Sequence, residues 1–92
     1  MKKYFTASII KHGIIGGGIV LDDEKLTFKT GKLTVPTEIK NLEINYADIL
    51  AVTNNFKIMM PTVTIKLKDL REYSFIIFNK KGFLKMLKGR MN

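Results

Sequence analysis

The chain has 92 residues, 46% of them hydrophobic, with no Cys and a formal net charge of +8 from 16 Lys and Arg against 8 Asp and Glu. That length leaves room for one domain around one core, spanning residues 1–92, and that apolar content excludes a disordered chain. The lack of Cys excludes disulfide staples and thiolate metal centres and fits a reducing compartment.

The charge attracts anionic partners such as lipid headgroups, nucleic acid or acidic proteins. Arg71 and Arg90 are the only arginines, however, and phosphate and base-edge recognition usually recruits the bidentate guanidinium. Specific nucleic-acid reading is therefore not expected. The opening MKKYFTASII starts positively but interrupts its apolar run with Thr6 and Ser8 before Lys11 and His12, which does not make a cleavable leader. No stretch reaches the roughly 18 uninterrupted apolar residues of a membrane span. These features predict a cytoplasmic protein, at most peripheral at the inner membrane surface.

Residues 4–10 alternate so that Phe5, Ala7 and Ile9 share one face, the period of a half-buried strand. HGIIGGG then reads as a flexible break, because Gly relieves backbone sterics and no helix follows to make a phosphate cradle. GIVL at 18–21 is a short buried run. Asp22, Asp23 and Glu24 form a solvated turn, and Leu26 and Phe28 point inward from KLTFKT, completing a hairpin. Gly31 and Pro36 punctuate a less regular stretch in which Leu33 and Val35 add a short edge strand.

Leu42, Ile44 and Tyr46 alternate with Glu43 and Asn45. Asp48 then interrupts, as at a bulge or corner, before ILAVTNNF resumes as a strand. TVTIKLK at 62–68 alternates strictly, with Val63, Ile65 and Leu67 facing a core and Thr64, Lys66 and Lys68 facing water. A turn around Asp69 to Arg71 leads to the aromatic and β-branched strand EYSFIIF. The period then becomes helical over about 79–89, with Phe83, Leu84 and Leu87 inward, Asn79 as N-cap and Gly89 as the stop. Lys80, Lys81, Lys85, Lys88 and Arg90 solvate its outer face.

Strands within about 4–78 closed by one amphipathic helix resemble the pleckstrin-homology-like superfold, and three stretches point to its GRAM and bacterial PH-like branches. These are Gly16 to Phe28, Leu42 to Val52, and Val63 to Phe75. The resemblance implies a mainly β fold with one helix: a seven-stranded antiparallel sandwich or partly open barrel capped by the C-terminal amphipathic helix. Leu70 stands where many relatives carry Gly, which implies a turn that does not need positive φ. Lys11 is followed by Gly18-Ile19-Val20 rather than the basic triplet of phosphoinositide readers, so that site is not carried over.

The implied topology brings Lys11, Lys32, Lys40, Lys68 and Arg71 toward one open end as a candidate anion- or lipid-binding cluster. Phe56, Ile58, Met59 and Met60 surround Lys57. They either extend a strand into the core or form an apolar loop that contacts a membrane or partner, and solvent exposure separates the two. His12 lacks the partners of a metal site or a catalytic triad, and no cofactor is expected. The expected function is a noncatalytic binding or interaction module for an anionic membrane surface or a protein partner. A homo-oligomerisation domain is the alternative, and a non-specific nucleic-acid binder ranks behind it.

Overall fold

The computed structural model describes residues 2–31, 35–57 and 59–91. Seven strands run in chain order: β1 (Lys3–Ile10), β2 (Ile14–Leu21), β3 (Lys25–Lys29), β4 (Leu42–Asn45), β5 (Ile49–Lys57), β6 (Met60–Leu67) and β7 (Glu72–Ile77). A 3-10 turn, Tyr46–Asp48, joins β4 to β5, and the helix α1 (Lys80–Met91) follows β7. All strand pairs are antiparallel, in the order β4-β3-β2-β1-β7-β6-β5, so β4 and β5 are the two edges of one curled half-barrel. The predicted mainly β architecture with one closing helix is therefore present.

The concave face holds the core. Alternation supplies it strand by strand: Phe5, Ala7 and Ile9 from β1, Leu26 and Phe28 from β3, Val63, Ile65 and Leu67 from β6, all buried. Curling brings distant strands together, so that the Phe28 and Phe75 rings meet at 5.8 Å between centroids although β2 and β1 separate β3 from β7 in the sheet. The half-barrel leaves an apolar end, and α1 covers it with the buried Phe83 and Leu87. Phe83 sits edge-on to Phe5 at 5.4 Å.

The glycine segment corrects the sequence reading. It is not a flexible break: Gly16, Gly17 and Gly18 lie inside β2, opposite Ser8, Ala7 and Thr6 of β1. The reason is close approach rather than mobility. A Cβ on Gly17 would lie 2.1 Å from the Lys29 carbonyl oxygen and 3.0 Å from the Phe28 ring, and one on Gly18 would overlap the Tyr4 ring. The Tyr4 ring thus covers the gap that Gly18 leaves in the sheet. Because the Lys29 contact is to backbone, Gly17→Ala must push β3 away from β2. A loss of about 2 kcal/mol is expected in urea unfolding, and an unchanged midpoint would contradict this account.

Three further details differ from expectation. Leu70 adopts φ +74 in the β6–β7 turn, so this turn does use positive φ, and it places an exposed Leu there. Gly89 does not stop the helix, which continues to Met91. Thr64 is buried, although alternation predicts it to face water; its hydroxyl and that of the buried Ser74 hydrogen-bond to each other at 2.9 Å. Asn79 does cap the helix, its Oδ1 accepting the Gly82 N–H at 3.2 Å. Val35 is half-buried outside any strand, and Leu33, its expected partner in an extra edge strand, lies outside the described residues.

Candidate functional site

The β5–β6 hairpin outruns the sheet that carries it. β6 pairs with β7 from Lys66↔Glu72 to Val63↔Phe75, whereas β5 and β6 continue pairing through Asn55↔Thr62 and Phe56↔Pro61 to Lys57↔Met60. Pro61 has no N–H to donate, which suits a hairpin end better than a central ladder. At this tip Phe56 is 67% exposed, Met59 86% and Met60 41%, and Lys57 is exposed among them. Phe56, Met59 and Met60 are thus outside the core, although Phe56 and Met60 belong to the strands that extend the hairpin. Ile58 lies outside the described residues. Behind the tip, Asn55 Nδ2 donates to Thr64 Oγ1 at 2.7 Å, tying β5 to the Thr64–Ser74 pair and stiffening the base of the hairpin.

The candidate anion cluster divides between two places. Lys11, in the β1–β2 turn, pairs with Glu38 at 2.9 Å, and Lys40 is exposed on the same β3–β4 connection as Glu38. Lys68 and Arg71 belong to the β6–β7 turn, where the Lys68 N–H donates to the Asp48 carbonyl and Arg71 Nε pairs with Asp69 at 2.7 Å. The Arg71 pair raises the guanidinium's proton affinity, while the Arg71 backbone N–H and the same side chain hold the Asp69 carboxyl below its usual range. No ion pair or hydrogen bond among the described residues joins the two groups. Lys11 and Arg71 each have a carboxylate competing with any anionic ligand. Lys32 lies outside the described residues.

At the far end of the half-barrel the acidic turn is built into the fold. Asp22 Oδ1 accepts the Glu24 and Lys25 N–H groups, both at 2.8 Å, which lowers its carboxyl below the usual range. Tyr46 donates its hydroxyl to the Asp22 carbonyl at 2.7 Å, and Arg90 from α1 bonds the Asp23 carboxylate. Arg90, a helix cation with no acidic neighbour in sequence after Glu72, thus finds one in space.

Burial raises the Tyr46 phenol to about 12, with the Asp22 and Asp23 carboxylates adding to the rise. An unfolded Tyr ionises near pH 10, so between about 10 and 12 the native state binds more protons than the unfolded state. Stability is expected to fall as pH rises through that window. Tyr46→Phe should remove this part of the alkaline fall and cost about 1 kcal/mol at neutral pH through the lost hydrogen bond. Denaturant midpoints at neutral and alkaline pH check both; parallel pH profiles for the two proteins would contradict the assignment.

Between β1 and α1 runs a groove of about 570 Å³ that the sequence reading did not identify. Phe5 and Met86 contribute its apolar lining, Gly89 opens it, Gly82 lies against the Asn79 side chain, and Lys3, Lys85 and Arg90 bring its cations. Two signals were present in the sequence: a Lys at position 3 on the same strand face as Phe5 and Ala7, and two glycines seven residues apart on one helix face. Among the described residues no cluster of His, Cys, Asp and Glu is arranged to hold a metal ion, and no helix is long and apolar enough to cross a membrane.

No family model and no curated protein matches this chain. Among solved structures, the C-terminal domain of an unknown protein from Leishmania infantum is similar over 97% of this chain and 81% of that chain, with a TM-score of 0.79 at 11% identity. At that identity the likeness concerns the fold alone.

Proposed function

We propose that this chain is a noncatalytic PH-like binding module of the GRAM and bacterial PH-like kind, and that it docks on an anionic membrane surface through the tip of the β5–β6 hairpin. The observation that carries this reading is the exposure of Phe56, Met59 and Met60 around Lys57 on a hairpin that outruns its sheet. Exposed apolar side chains clustered at one protrusion mark an interaction site. A cation beside them favours a surface that is apolar within and negative without, which describes an anionic bilayer. The net charge of +8 adds long-range attraction, about 1 kcal/mol for each cation brought near the headgroups. The antiparallel meander closed by one C-terminal helix supports the PH-like assignment. The Lys11–Glu38 and Arg71–Asp69 pairs weigh against the loop cluster as the primary contact. Such a module would act at the cytoplasmic face of the inner membrane.

Sedimentation with vesicles containing phosphatidylserine, at low and at physiological salt, tests the reading. Binding that weakens with salt and is lost on neutral vesicles is expected; no binding at either salt overturns it.

One observation favours a second reading. β5 is an edge of the sheet, and residues 53–57 of this strand are exposed, leaving backbone groups open to a second copy of the chain. Light scattering across concentration separates the readings, because a persistent monomer excludes self-association.

A further inference from the structure

The groove between β1 and α1 has an electrical polarity along its length. Asn79 and Arg90 mark its ends on the helix, about 16 Å apart at 1.5 Å per residue. Lys3 pairs in register with Leu21, immediately before the Asp22–Glu24 turn, and Arg90 bonds Asp23 of that same turn. Lys3 and Arg90 therefore share one end of the groove. Asn79, at the other end, is neutral, and its Oδ1 is engaged in capping the helix.

The residues between suit an alkyl chain. Gly89 leaves open space on the helix where a Cβ would meet nothing within 4 Å, the Asn79 side chain fills the space beside Gly82, and Phe5 and Met86 provide apolar surface. Among the described residues no acidic side chain lines the groove. Asp23 engages Arg90, whereas Lys3 and Lys85 have no ion-pair partner among the described residues. The available charge is thus positive, and the volume of about 570 Å³ falls within the range of small-ligand sites.

We infer that this groove binds a single-chain fatty carboxylate, with its carboxylate at Lys3 and its alkyl chain along Gly82, Met86 and Phe5. Charge complementarity selects the occupant: an uncharged chain leaves Lys3 unused, and a cationic one is repelled by both lysines. The site goes beyond membrane docking and is separate from it, because none of its residues belongs to the β5–β6 hairpin.

The test is an amide chemical-shift titration of the full chain with monomeric dodecanoate, set beside dodecanol, dodecylammonium and dodecyl phosphate. Dodecanoate is expected to shift residues 3–5 and 82–90 and to bind at least about tenfold more tightly than dodecanol or dodecylammonium. Lys3→Glu should weaken it by about tenfold or more. Gly89→Leu should do the same by filling the groove, since a Cβ there meets nothing within 4 Å. This second change replaces Gly with a better helix former, so loss of folding does not confound it. A Phe56→Ser, Met59→Ser double variant should bind dodecanoate as the parent chain does, which keeps this test apart from the vesicle experiment. The inference is overturned by shifts confined to other residues, by binding of dodecyl phosphate alone, by equal affinity for dodecylammonium, or by unchanged affinity in both groove variants. Groove shifts on raising protein concentration without amphiphile would assign the groove to a second copy and overturn it too.

Discussion

Phe83→Ala is expected to destabilise the domain by about 3–5 kcal/mol, the usual cost of emptying a fully buried aromatic site. Phe83 is fully buried and meets Phe5 edge-on at 5.4 Å. Its loss removes the transfer free energy of the ring, the edge-to-face contact, and most of what holds α1 over the end of the half-barrel. Leu87, the other fully buried residue of α1, cannot spread into the gap without moving the helix. A small domain has roughly 5–15 kcal/mol of total stability, so this change consumes a large share of it. Urea unfolding followed by circular dichroism reads the loss directly. A change below about 1 kcal/mol would mean that the helix contributes little to closing the core.

The double substitution Phe56→Ser with Met59→Ser is expected to lower the affinity for phosphatidylserine vesicles by about 10- to 100-fold. Fully burying a Phe or Met side chain stabilises by about 1.5–3 kcal/mol, and partial insertion at a headgroup boundary yields roughly half of that. Two such side chains lose about 1.5–3 kcal/mol together, and each 1.4 kcal/mol is tenfold. Both residues are exposed in the free chain, so stability should move by less than about 0.5 kcal/mol each. This separation of binding from folding makes the pair informative. Lys57→Glu should lower the affinity less and flatten its salt dependence, because it changes charge at the tip and leaves the apolar surface in place. Vesicle affinity unchanged in the double variant would remove the hairpin from the proposed contact, whatever the parent chain binds.

Much of the fold was legible because strand alternation is a local property. Phe5, Ala7 and Ile9, or Val63, Ile65 and Leu67, declare a shared face within a few residues, and the shift to helical spacing at Phe83 and Leu87 is equally local. The glycine strand was not legible, because Gly16 to Gly18 carry no side chains to alternate. Their placement in β2 follows from Tyr4 and Lys29, which approach them from strands on either side. Leu70 misled for a related reason: side-chain identity disfavours φ +74, yet the geometry of closing β6 onto β7 imposes it.

The candidate sites divide along the same line. Sequence singled out Phe56 to Met60 as a segment with two fates, and alternation could not choose between them, since it reports which side of a strand a residue takes and not what covers that side. Coverage is decided by how far the neighbouring strand extends, and β7 pairs with β6 only as far as Val63. The β1–α1 groove lay further from reach, joining Lys3 at one end of the chain to Gly89 and Arg90 at the other. By itself the sequence determined a single basic, β-rich chain closed by a helix anchored on Phe83 and Leu87. Only the tertiary structure decided which apolar residues stay outside and which cations lack a carboxylate, because both depend on contacts between residues far apart in the chain.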